Sequence, residues 1–220
     1  MESLFKIILP IHILAGYLAF LIGLLVIFLR KGDKRHQKMG KAFYWLMFIA
    51  TTTAIYMSIQ HWNLFLLALG PFTFYAFYMG KRFLKWRAND ISPLISKTDW
   101  FVYFVFTANC FAMLAYGLFS PESGRIVLLV FGLLSLPDVW KDFRRFTGRR
   151  LASDEKEWLR EHIGRMTGAF IAGTTAFLVN NPGFLVNYVP VVLIWLGPTI
   201  VLIPVIINWQ KKYAKAKIEA

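Results

Sequence analysis

The sequence is poor in charge. Aspartate, glutamate, lysine and arginine make up 17% of the chain, against about a quarter in soluble globular domains. Acidic residues are the scarcer sign, 12 against 25 basic. Cys110 is the single cysteine, so no intrachain disulfide and no CxxC metal or redox motif can form. Within FTANCFAML it reads as a small packing residue. The four histidines never occur as HxxxH or HxxxD, which removes a ready-made zinc site on one helix. HExxH, GxSxG, GxGxxG and the P-loop are absent too, leaving zinc-protease, nucleophile-elbow, dinucleotide and P-loop chemistry without a motif.

Apolar residues take that place. They are 57% of the chain, 17% aromatic, and they fall in runs long enough to cross a hydrocarbon core of about 30 Å. The runs lie near residues 4–29, 42–60, 64–79, 101–119, 126–140, 163–179 and 184–207. The expected fold is therefore all-α: a single transmembrane domain over residues 1–220, a polytopic bundle of about seven helices. The start of the chain is a poor signal peptide, with a minimal charged region and no cleavage site, and reads as the first retained span. SPESG at 120–124 and NNPG at 180–183 read as turns. Ser153 to Glu157 reads as a helix N-cap with an acidic first turn, continuing through Trp158 and His162 into the sixth span.

The net charge of +13 lies between the apolar runs. With no recognition motif beside it, this is the pattern of cytoplasmic loops facing anionic membrane lipids, not of a nucleic-acid binder. Twenty-three of the 25 Lys and Arg fall in alternate connections: residues 30–41, 81–97, 141–165 and the tail after Gln210. Lys6 and Arg125 alone lie on the other side. The positive-inside rule then expects the N-terminus outside, the C-terminus cytoplasmic, and a multi-pass protein of the cytoplasmic (inner) membrane. Seven of the eight tryptophans lie near span ends, as interfacial belts do, with Trp195 well inside a span. Pro190, Pro198 and Pro204 suggest kinks in the seventh span.

Ionisable groups inside a membrane are costly, which makes each one a functional candidate. His12 shares a helical face with Gly16, Ala19 and Gly23, a small-residue face of close helix contact that points it into the bundle. It reads either as a histidine hydrogen-bonded to a neighbouring backbone or hydroxyl, or as an axial haem or metal ligand. His36, Asp138, His162 and Arg165 are expected at similar depth near the inner interface. Asp138 and Arg165 form either a structural ion pair or part of a site for an anionic headgroup, a quinone or a metal. His12, His36 and His162 are the candidate metal or haem b ligands. His36 and His61 are 25 residues apart, about 37 Å along a helix, which argues against two haems stacked on that helix.

Three motifs follow one another along the chain. The first is His12-Ile13-Leu14-Ala15-Gly16-Tyr17-Leu18-Ala19; then come Lys31-Gly32 with His36 and Gly40, and His162-Ile163-Gly164-Arg165-Met166. From residue 12 to about residue 170 the chain resembles a family of multi-pass bacterial inner-membrane proteins, a domain of unknown function. That family is marked by H-I-x-A-G-x-x-A, K-G…H-x-x-x-G and H-x-x-R-M. The resemblance implies a membrane fold and marks His12, His36, Gly40, His162 and Arg165, and it names no activity. Gly164 departs from it, standing where a bulky aromatic is expected.

Three functions follow as expectations. The foremost is a binding, transport or sensing protein for a small molecule, lipid or anion, with a polar pocket at the cytoplasmic rim and a small hydrophobic or anionic ligand. The alternatives are a haem- or metal-associated redox protein with histidine ligands, and a structural subunit of a membrane complex.

Overall fold

The computed structural model describes residues 2–87, 90–121, 125–152, 155–180, 183 and 187–213. The expected cap at Ser153-Asp154 lies outside the described residues, as do parts of the two expected turns and the end of the basic tail.

The described residues form seven α-helices and one short 3-10 turn: α1 (Glu2–Phe28), α2 (Lys34–Gln60), α3 (Leu64–Phe83), the turn at Ser92–Leu94, α4 (Lys97–Phe119), α5 (Arg125–Phe146), α6 (Glu157–Asn180) and α7 (Val191–Tyr213). Five of them, α1 to α4 and α7, are long and apolar enough to cross a membrane. Helices α5 and α6 are not among them; α5 carries Asp138, Asp142, Arg144 and Arg145 toward its end, and α6 carries Glu157, Glu161 and Arg165 toward its start. Large apolar side chains lie on the outside of the helices, Phe28 at 79% and Phe119 at 84% exposed among them. A surface of that kind is at home in lipid rather than in water.

Several helices overrun the apolar runs that announce them. Hydropathy registers apolar side chains, whereas a helix continues until its backbone groups find a cap. Helix α2 begins inside the basic loop because the Asp33 carboxylate accepts from the His36 amide at 2.7 Å. Just before it, Lys31 Nζ donates to the last carbonyls of α1, at Val26 (2.9 Å) and Ile27 (2.7 Å), and Gly32 turns the chain at φ +84°. Burial there lowers the Lys31 pKa. Helix α6 runs unbroken from Glu157 through Trp158 and His162. Helix α7 starts at Val191, directly behind Pro190, rather than at the expected residue 184, and carries Pro198 and Pro204 in its interior.

The chain divides into two compact units. The first comprises Met1–Phe77 and Ala169–Pro198, the second Tyr78–Gly168 and Thr199–Ala220. In the first, α1 packs on α2. Gly23 lets α1 approach closely: a Cβ there would lie 2.4 Å from the Phe170 ring and 3.0 Å from Phe43. In the second, α4 packs on α5 by a reciprocal exchange. Gly117 of α4 faces Leu129 of α5, and Gly132 of α5 faces Leu114 of α4. At Gly117 a Cβ would come within 2.9 Å of the Leu129 Cα, so the helices themselves would have to part. Small residues of this kind bring helix backbones together where no water drives association.

Gly117→Ala should lower stability in detergent by about 1–3 kcal/mol, the usual cost of overpacking. Gly16→Ala meets nothing within 4 Å and should be neutral. Thermal melts of the two variants side by side check this.

Candidate functional site: a buried charge network

The largest polar group in the second unit lies where the end of α5 meets the start of α6. On α5, Asp138, Asp142 and Arg145 recur at helical spacing, and on α6 Glu157, Glu161 and Arg165 do the same, so each set lies along one face. Arg145 Nη1 donates to Asp142 at 2.9 Å. Its Nε (3.1 Å) and Nη2 donate to Glu157, and Nη2 also to Glu161 at 2.6 Å. Arg165 Nη2 donates to the other Asp142 oxygen at 2.7 Å, and its Nε to Glu161 at 3.2 Å. Arg150 closes the network on Glu157. Asp142 is wholly buried, and Arg145 and Arg165 nearly so. Phe83, at the end of α3, is shared by both guanidinium groups, which lie 5.2 and 5.3 Å from its ring centroid.

Each charge here is held by its neighbours. Burial works against ionising Glu161, yet Arg165 and Arg145 outweigh it and hold the carboxyl below the usual glutamate range. Burial likewise opposes the Arg145 charge, and Glu161, Asp142 and Glu157 around it raise its pKa further. Both groups lie beyond the expected spans.

Asp138 is held least. Its one ion pair among the described residues is with Arg165 at 3.6 Å, and its side chain is 39% exposed. The expected Asp138–Arg165 pair therefore exists, but Arg165 is bound more closely by Asp142 and Glu161. His162 begins a second contact in the same unit. Its Nδ1 donates to the Gly80 carbonyl at 2.7 Å. Gly80 is also where α3 meets Met166, since a Cβ there would lie 2.8 Å from the Met166 sulfur. The resembled H-x-x-R-M segment thus clasps α3 through His162 and Met166 and pairs with α5 through Arg165. Gly164, its point of departure, admits Gln210 of α7, which donates to the Arg160 carbonyl at 2.9 Å.

His12 and His36 belong to the first unit. His12 Nδ1 is 2.9 Å from the Ala50 carbonyl and 3.1 Å from the Thr53 hydroxyl, the backbone-or-hydroxyl arrangement that its small-residue face suggests. Among the described residues His36 Nδ1 is buried without a hydrogen-bond partner. Asp138, His162 and Arg165 share the second unit. No group of three or more His, Cys, Asp or Glu suited to a metal ion occurs among the described residues.

Asp142, Arg145, Glu157 and Glu161 are members that the sequence reading does not single out as site residues. Asp99 is another buried carboxylate of this unit. It completes a capping box with Ser96 and accepts from Tyr78 at 2.7 Å and Arg82 at 2.6 Å. The S-x-x-D spacing ahead of an apolar run is its sequence sign. Comparison with protein-family models, with curated proteins and with solved structures finds no match.

Arg145→Met would leave Asp142, Glu157 and Glu161 without their shared cation, and should destabilise by about 3–5 kcal/mol. Arg150→Met removes a partly exposed partner and should cost under about 1 kcal/mol. Unfolding titrations in detergent distinguish the two.

Proposed function

We propose that the protein is a multi-pass protein of the cytoplasmic membrane that binds, transports or senses a small ligand at a polar cluster on its cytoplasmic rim. The proposed topology has seven spans, the N-terminus outside and the C-terminus inside. The one-sided distribution of Lys and Arg supports that orientation. Asp138 and Arg165, which fall inside the expected fifth and sixth spans, lie 3.6 Å apart as an ion pair, and this supports counting those helices as spans because paired charges can be carried at membrane depth. The resemblance to an uncharacterised inner-membrane family belongs to the same proposal.

Asp138, His162 and Arg165, all of the second unit, are the proposed ligand residues. Asp138 carries the reading: its carboxylate is half-exposed and lies 3.6 Å from Arg165, so it can accept from a ligand without dismantling the network. Arg165 is already surrounded by Asp138, Asp142 and Glu161. The preferred partner at this cluster is therefore a group that donates a hydrogen bond or carries positive charge.

One observation favours a second reading, a haem or metal ion held by histidine. His12 and His162 each hold Nδ1 against a backbone carbonyl, which fixes the tautomer with its lone pair on Nε2, the arrangement of metal-bound histidines.

Three measurements test these readings. Alkaline phosphatase fused after Pro121 should be active and fused after Lys97 inactive; the reverse pattern would refute the orientation. Native mass spectra should show a small molecule that Asp138→Asn loses while its melting temperature stays unchanged, and retention of that mass would refute the site. Purified protein should show a Soret band abolished by His12→Ala only if the second reading holds; a colourless, metal-free preparation refutes it.

A further inference from the structure

The second unit holds a small pocket beside the charge network that the network does not use. Trp86, Arg87, Arg145, Arg150, Glu157 and Trp158 line it, and its enclosed space is about 20 Å³. That admits a water or a single oxyanion edge, and is far below the roughly 300–1,000 Å³ of organic ligand sites. The pocket is half-open, so a larger molecule would insert one small group and keep the rest outside.

The charges of the lining residues say which group. Arg145 and Arg150 are both spent on Glu157. Arg87 is not. Its guanidinium lies 4.4 Å above the centre of the Trp158 ring, its Nε donates to the Leu84 carbonyl at 3.2 Å, and it has no carboxylate partner among the described residues. Stacking uses the guanidinium face and the carbonyl uses Nε, which leaves both terminal nitrogens as a planar fork suited to two oxygens of one anion. Arg145 is further shared by Asp142 and Glu161, so the grip on an anion falls to Arg87 alone. Tryptophan and arginine at span ends lie at the depth of lipid phosphates.

We infer that this pocket takes a phosphate group, gripped by Arg87 against Trp158, with the phosphodiester of an anionic membrane lipid as its source. The inference deepens the membrane reading above and moves the anion from Arg165, which is encircled by carboxylates, to Arg87.

The test is native mass spectrometry of the full chain in detergent with phosphatidylglycerol, diacylglycerol or inorganic phosphate added. Phosphatidylglycerol should bind and diacylglycerol should not. Arg87→Gln should weaken phosphatidylglycerol at least about tenfold, the order expected for a charge-assisted bidentate contact, at an unchanged melting temperature. Arg87→Lys keeps the charge, loses the fork, and should fall between. Arg149→Gln, an exposed arginine outside the pocket, should have no effect. Binding of inorganic phosphate that needs Arg87 would assign the same chemistry to a soluble source. Equal binding by the Arg87→Gln protein, or diacylglycerol bound as tightly as phosphatidylglycerol, would overturn the inference. Asp138→Asn should leave phosphatidylglycerol untouched, so failure here is separable from failure at the Asp138 cluster.

Discussion

Taking an ion out of water costs several kcal/mol even after the protein relaxes around it, and attraction to a partner recovers that only with close geometry and satisfied hydrogen bonds. Arg145 and Arg165 impose this condition on the second unit. Arg145 needs Asp142 from its own helix and Glu157 and Glu161 from the next, so α6 has to begin at Glu157, well before its apolar stretch. Arg165 needs Asp142 across the same junction, which extends α5 past its apolar stretch in turn. Phe83 lies against both guanidinium groups and brings the end of α3 to the same place. The length of two helices and the position of a third thus follow from keeping two buried cations paired.

That dependence explains what could be read from the sequence and what could not. The apolar runs announced the helices because burial in an apolar medium is written directly in composition. Helix ends were less legible, since Asp33 and the capping box at Ser96 act through hydrogen bonds that hydropathy does not register. The network escaped for a related reason. Asp142 and Arg145 sit in a stretch dense with Lys and Arg that reads as a solvated loop, and Glu157 and Glu161 fall on the expected helix start with nothing to mark their partners. Their three- and four-residue spacing was the available sign, and it becomes decisive only once two helices are known to face each other. Asp138 and Arg165 were visible because they border apolar runs, where a charge looks out of place. His12 was legible in more detail: its small-residue face implied a close neighbour, and Ala50 and Thr53 supply the carbonyl and hydroxyl.

The polar groups differ in what they leave available. Arg145 has all three of its guanidinium nitrogens engaged, so it gives rigidity and little else. Asp138 and Arg87 are held by fewer contacts, and they border the same network. Fully engaged charges can serve as a fixed frame for less engaged ones, because a side chain that must receive a ligand needs neighbours that do not move with it.

Asp99 gathers the end of α3, through Tyr78 and Arg82, and the start of α4, through Ser96, onto one carboxylate. The spacing of those two helix ends is set by that carboxylate and not by the chain that runs between them. Among descendants of a common ancestor, Asp99, its capping partner Ser96 and the α3 residues Tyr78 and Arg82 should therefore be kept or lost together.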